Sequence, residues 1–213
     1  MIPQILHMIW VGRDKPPQYF IDNTKGWSSL MPHWTIMIWT NDTLTTEYFD
    51  ENYLVMLNSI PNPAYVSDFI RFYVLNKWGG YYLDADVTPI RNLGDLPISK
   101  SAVVCNDLPD YSPGYMATGF IAGIPKHPIW TSCINQYIEY ANDQETLNGQ
   151  PVSPILLGRA IEQFKQQSND YDELPYWFFY RNRIGDPGPY MPDRIMLNHP
   201  DAFGNHFYAA TWT

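Results

Sequence analysis

The sequence predicts an α/β fold: one domain over residues 1–213, with a mostly parallel central sheet and helices on both faces. Two observations carry this. Short, nearly unbroken apolar runs bounded by glycine or proline read as strands buried on both faces. They alternate with longer segments of helical period in a β-α-β-α order, which builds parallel strands with crossover helices. At 213 residues the chain is long enough to bury one substantial core.

Ile5 to Val11, ended by Gly12, is the first such run and predicts a central strand. His7 inside it reads as a hydrogen-bonded core histidine, and Trp10 falls at the carboxyl end. Pro16-Pro17 opens a helix running to about Leu30, with Phe20 and Trp27 facing the core and Pro32 beyond its end. Trp34 to Trp39 is the second strand. Asn41-Asp42 offers N-cap chemistry for a helix starting near Leu44. Val66, Phe69, Ile70, Tyr73 and Val74 mark the buried face of the next helix. Lys77 suits the C-terminal dipole, and Gly79-Gly80 terminates the helix. Tyr81 to Leu83 is then a short buried strand. Further on, 102–105 and 119–122 read as strands joined by a Pro/Gly/Asp-rich loop over 107–114, a candidate acceptor-facing element. Pro128 to Ala141 and Ser153-Pro154 through Phe164 read as helices, the second with Ser153 as N-cap. Ser168 to Asp172 reads as a surface turn and Asp186 to Tyr190 as a rigid loop. No internal repeat or low-complexity tract is present.

The stretch Ser67 to Ile90 carries the chemistry. Asp68 and Arg71, at i and i+3, sit together on one helix face, where a surface ion pair would contribute a few tenths of a kcal/mol. Asp84 and Asp86 follow directly on the Tyr81–Leu83 strand, at the carboxyl end where open α/β sheets bind ligands. Two carboxylates one residue apart are what a hard divalent cation requires. A bare D-x-D also describes two solvated loop aspartates; the buried strand before it and the acidic-basic pair upstream favour the metal.

The run Ser67-Asp68-x-x-Arg71, Leu75, Gly79-Gly80-x-Tyr82-Leu83-Asp84-x-Asp86 resembles the sugar-binding region of the DXD glycosyltransferases of the GT-A fold. That family includes the yeast initiating α-1,6-mannosyltransferase, bacterial capsular-polysaccharide transferases and, more distantly, the clostridial glucosylating toxins. The opening Leu6-His7-x-Ile9-Trp10-x-Gly12 and the tail His206 to Trp212 are similar to the same family. The resemblance implies a GT-A-like single domain that transfers a hexose from a UDP- or GDP-hexose to a glycan or protein hydroxyl, with retention of configuration. It implies Mn²⁺ or Mg²⁺ held by Asp84, Asp86 and His206, with Asp84 binding directly or through water. By the same resemblance Trp10 stacks on the nucleobase, Tyr82 belongs to the donor site, Thr211 and Trp212 donate to the diphosphate, and Asp68 and Arg71 bind the sugar hydroxyls.

Composition narrows the field. With 13 basic against 22 acidic residues and a formal charge of -9, neither nucleic acid nor an anionic membrane is a suitable partner, and bound phosphate requires a local cation. Aromatic residues form 16% of the chain; flat rings suit sugars and bases, although most of these must fill the core. Cys105 and Cys133 read as buried thiols. No membrane span and no basic leader are apparent, so the chain reads as soluble and cytoplasmic. No G-x-G-x-x-G or P-loop follows any strand. Two other functions fit parts of the sequence. Asp84-x-Asp86-x-Thr88 matches the D-x-D-x-T of haloacid-dehalogenase-type phosphohydrolases, with Asp84 as nucleophile. A carbohydrate-binding module would use the aromatics and leave the aspartates unexplained.

Overall fold

The computed structural model describes residues 1–12, 15–106, 114–142, 152–180 and 200–209. In chain order the elements are β1 (Ile5–Trp10), α1 (Gln18–Leu30), β2 (Thr35–Thr40), α2 (Glu51–Ser59), α3 (Pro63–Trp78), β3 (Gly80–Leu83) and β4 (Val87–Pro89). They continue as β5 (Ala102–Cys105), β6 (Ala117–Gly123), α4 (Pro128–Asn142), α5 (Val152–Lys165), β7 (Tyr171–Leu174) and β8 (Gly204–His206). Six strands form one sheet in the order β2-β1-β3-β6-β5-β7, and β4 and β8 form a two-stranded antiparallel ribbon. β1 runs parallel to β2 and β3, and β5 parallel to β7, whereas β6 is antiparallel to both neighbours. The predicted α/β fold with helices on both faces is present, and its sheet is mixed. β6 is reversed because the segment between Cys105 and Ala117 is too short for the crossover helix a parallel connection needs.

The inner strands β3, β5 and β6 are buried along their whole length because each face is covered. Along β5, Ala102 and Val104 join the cluster under α3, α4 and α5, while Val103 and Cys105 join the cluster on the other side. β3 divides the same way, with Tyr82 on the first side and Tyr81 and Leu83 on the second, where Phe20 and Trp27 of α1 pack. His7 is fully buried: its Nε2 donates to Gly79 O at 2.8 Å and its Nδ1 accepts from Trp39 Nε1 at 3.1 Å. Both cysteines are buried thiols, and Cys105 Sγ donates to Pro175 O at 3.3 Å.

Three sequence expectations are corrected. The segment after β2 is a 3₁₀ turn over Asn41–Thr43, capped by Thr40 and Thr43, and α2 begins only at Glu51; the local side-chain capping closes one turn rather than starting a helix. α5 begins at Val152, so Ser153 lies inside its first turn rather than at the cap. The expected surface turn at 168–172 gives way at Tyr171 to edge strand β7, which pairs with β5; its half-polar composition suits an edge. The 186–190 loop and nearly all of the 107–114 loop lie outside the described residues.

Candidate active site

β3 is buried along its whole length and delivers Asp84 at its carboxyl end, beside the end of β1. Val87 N donates to Asp84 O at 3.1 Å, closing a turn that aims both aspartate side chains the same way. Antiparallel pairing then sets His206 of β8 opposite Val87. The tail thereby returns a ligand to the loop from more than a hundred residues away.

Each carboxylate has one oxygen committed to the protein and one left for the shared point. Asp84 Oδ1 accepts from Tyr82 OH at 2.6 Å and from Arg71 NH1 at 3.1 Å, leaving Oδ2 at 3.4 Å from His206 Nε2. Asp86 Oδ2 accepts from Ala209 N at 2.8 Å, leaving Oδ1 at 3.0 Å from the same nitrogen. One ligand atom from each of Asp84, Asp86 and His206 lies within 4.8 Å of the others. Adjacent ligands about 2.1 Å from an octahedral ion are roughly 3 Å apart, so these spacings suit one ion. Two carboxylates and an imidazole are also a donor set suited to Mn²⁺ or Mg²⁺.

Electrostatics fit the same purpose. Burial alone would raise the Asp84 carboxyl, but Arg71, then His206 and Tyr82, outweigh it and hold the group well below the usual carboxylate range. Burial would lower the His206 imidazole, yet the Asp86 charge and the hydrogen bonds to Asp84 and Asp86 hold it up at about 10. Without a cation, a protonated His206 compensates the two carboxylates.

Asp68 and Arg71 are not a surface pair. They are 7% and 5% exposed and bridge at 2.9 Å. Arg71 NH1 also donates to Thr118 O and Oγ1 at 3.1 and 3.2 Å. Ser153 donates to both Asp68 oxygens, from Oγ at 2.6 Å and from N at 3.3 Å, and stands 3.0 Å from Thr118 Oγ1. With the Ser153 proton given to Asp68, Thr118 supplies the hydrogen in the hydroxyl pair. The helix pair is thus wired directly to Asp84, which spacing alone does not reveal.

In front of the carboxylates lies a cleft of about 650 Å³, bounded by the end of β1, the start of α3 and the metal loop, with Trp10, Tyr19, Ser67, Tyr82, Asp84 and Asp86 among its walls. Trp10 is half-buried there, edge-on to Tyr19 with centroids 6.3 Å apart. Tyr82 is 2% exposed, and its hydroxyl is spent on Asp84. The structure therefore brings together Trp10, Asp68, Arg71, Tyr82, Asp84, Asp86 and His206. Thr211 and Trp212 lie outside the described residues.

Sequence reasoning missed Thr118, Gly119 and Ser153. Gly119 carried a signal, because an isolated glycine within a strand often marks a close approach. A Cβ there would stand 2.8 Å from Asp84 Oδ2 and 3.1 Å from Tyr180 OH.

Residues 17–104 match the family described as the glycosyltransferase sugar-binding region containing DXD motif. A mannosyl phosphorylinositol ceramide synthase of Saccharomyces cerevisiae is 27% identical over 180 residues, covering 79% of this chain and 45% of that protein. Inositol phosphoceramide mannosyltransferase 1 of Schizosaccharomyces pombe is 25% identical over 219 residues, covering 99% of this chain and 62% of that protein. The chain thus spans roughly half to three-fifths of the length of these relatives. Among solved structures, the PaToxG glycosyltransferase superposes with a TM-score of 0.59 at 18% identity, covering 76% of this chain and 70% of that one, which is a likeness of fold. The match over residues 17–104, the α/β fold and the acidic cluster together point to the DXD-containing glycosyltransferases of the GT-A fold. In sequence it is similar to the yeast inositol phosphoceramide mannosyltransferases, and in fold alone to the PaToxG glycosyltransferase.

Proposed function

We propose that this chain transfers a hexose, with retention of configuration, from a nucleoside diphosphate hexose to an acceptor hydroxyl, using a divalent cation. The observation that carries this is the convergence of one free oxygen each from Asp84 and Asp86 on His206 Nε2, at the wall of a cleft that also holds Trp10. When bound there, Mn²⁺ or Mg²⁺ supplies positive charge to the departing diphosphate. In a chain of net charge -9, that charge needs a local source. Trp10 offers a ring face to the base of a UDP- or GDP-sugar, and Asp68 and Arg71 address the sugar hydroxyls from beneath the site.

The acceptor oxygen attacks the anomeric carbon as the carbon–oxygen bond to the diphosphate breaks. Asp84 and Asp86 are committed to the cation and Asp68 to Arg71 and Ser153. Among the described residues, the site then leaves no carboxylate for a covalent intermediate. Retention follows from attack on the face the diphosphate leaves, with a diphosphate oxygen taking the acceptor's proton. A phosphohydrolase would use Asp84 Oδ2 as its nucleophile, but here that oxygen faces His206 Nε2 at 3.4 Å, beside Asp86. A carbohydrate-binding module gives the cluster no task.

The names of the two yeast relatives specify mannosyl transfer to inositol phosphoceramide. Glycolipid headgroups therefore join glycans and proteins in the acceptor screen, and GDP-mannose joins UDP-sugars among donors. The test is thermal stabilisation by nucleotide sugars with and without Mn²⁺. A donor should raise the midpoint only with the metal present, and Asp86→Asn should abolish the rise. Metal-independent binding or transfer would overturn the mechanism.

A further inference from the structure

α1 buries Phe20, Asn23 and Trp27 on the side facing the metal loop. Asn23 is anomalous among them: a polar amide, 5% exposed, where an apolar residue would cost no desolvation. Its Nδ2 donates to Ala85 O at 2.9 Å, the carbonyl of the residue between the two metal-loop aspartates. One turn on, Trp27 Nε1 donates to Val87 O at 3.1 Å. Positions i and i+4 of a helix are about 6 Å apart along its axis. The two donors, one helical turn apart, therefore hold the carbonyls of Ala85 and Val87, the residues on either side of Asp86.

The intervening residue is held from the opposite side. Asp86 O accepts from Phe207 N at 3.2 Å and Asp86 Oδ2 accepts from Ala209 N at 2.8 Å. α1 is pressed against the end of this segment, since a Cβ on Gly26 would stand 2.5 Å from Pro89 Cγ.

We infer that Asn23 and Trp27 are positioning residues for the metal site, a two-point clamp that fixes the Ala85 and Val87 peptides and so aims Asp84 and Asp86 at one point. The inference rests on the reading that Asp84, Asp86 and His206 hold a divalent cation. Ala85 joins the two ligands, so rotation of its peptide turns both carboxylates, and partners of ligands typically govern about 10–100-fold in metal affinity.

The test is calorimetric titration of the purified chain with Mn²⁺, alongside thermal midpoints. The set comprises the wild type, Asn23→Leu, Trp27→Phe, Asp86→Asn as the metal-deficient reference and Ile134→Val as a packing control in the opposite cluster. Asn23→Leu keeps the number and branching of the side-chain heavy atoms and removes the donor, and its Mn²⁺ affinity should fall tenfold or more. Ile134→Val should lower the midpoint and leave Mn²⁺ affinity unchanged. A loss under tenfold in Asn23→Leu, or an equal loss in Ile134→Val, overturns the clamp. If Asn23→Leu does not fold, Trp27→Phe decides by the same tenfold criterion. A wild type that takes up no Mn²⁺ overturns the metal reading itself, and normal uptake by both clamp variants overturns the clamp alone.

Discussion

Single atoms decide how the metal loop is built. Asp84 can be gripped by Tyr82 and Arg71 on one oxygen and still offer the other because Gly119 leaves room beside it. Gly119 is not in the left-handed region, so alanine there meets no backbone strain, and its methyl first meets the Asp84 carboxylate and the Tyr180 hydroxyl. Gly119→Ala should therefore turn Asp84 away from His206 and cut Mn²⁺ affinity at least tenfold. Its cost in stability should stay near 1 kcal/mol, about 2–4 °C for a chain of this size. Calorimetric Mn²⁺ titration and a melting curve on one preparation check both parts. A large loss of stability with normal metal affinity would make Gly119 a packing position.

At the scale of elements, the legible parts of the sequence were those whose pattern is local. The α3–β3 unit declared itself through helical spacing, Gly79-Gly80 and a short apolar strand, and Trp10 through its place at the end of an unbroken run. β4 and β8 did not, because each is three residues long and is defined only by its partner. His206 came from resemblance rather than periodicity. α2 starts later than Asn41-Asp42 imply, because capping chemistry serves a turn as well as a helix and here Thr40 and Thr43 close a single turn. The burial of Asp68 and Arg71 was also hidden, since spacing gives the pair and not what covers it. This difference is measurable. A surface pair would contribute a few tenths of a kcal/mol, whereas removing one partner of a buried pair costs about 3–5 kcal/mol. Arg71→Met, which leaves Asp68 and Asp84 buried without their cation, should lose the larger amount in urea denaturation. A loss below 1 kcal/mol would return the pair to the surface reading.

Over the whole molecule, two histidines pull stability in opposite directions with pH. Burial pushes the His7 imidazole down to about 4, against the partial support of Gly79 O. The folded chain thus keeps His7 neutral while the unfolded chain protonates it near 6.5. The stability His7 contributes is complete above pH 6.5 and falls away as pH drops toward 4, by on the order of 3 kcal/mol. His206 behaves oppositely. Without metal it is held up at about 10 despite burial, by Asp86 and Asp84. Its contribution is complete below pH 6.5 and is lost as pH rises from 6.5 toward 10. The metal-free protein should therefore be most stable near pH 6.5, with an acidic limb set by His7 and an alkaline limb set by His206. Mn²⁺ changes only one of these. A metal needs the neutral imidazole, so binding displaces the His206 proton, and Mn²⁺ affinity should rise about tenfold per pH unit between pH 6 and 8. Saturating Mn²⁺ should accordingly lift the alkaline limb and leave the acidic limb in place. Denaturation curves from pH 5 to 9, with and without Mn²⁺, test both. An Mn²⁺ affinity that levels off above pH 6.5 would mean that His206 carries an ordinary pKa and that the two carboxylates do not hold its proton.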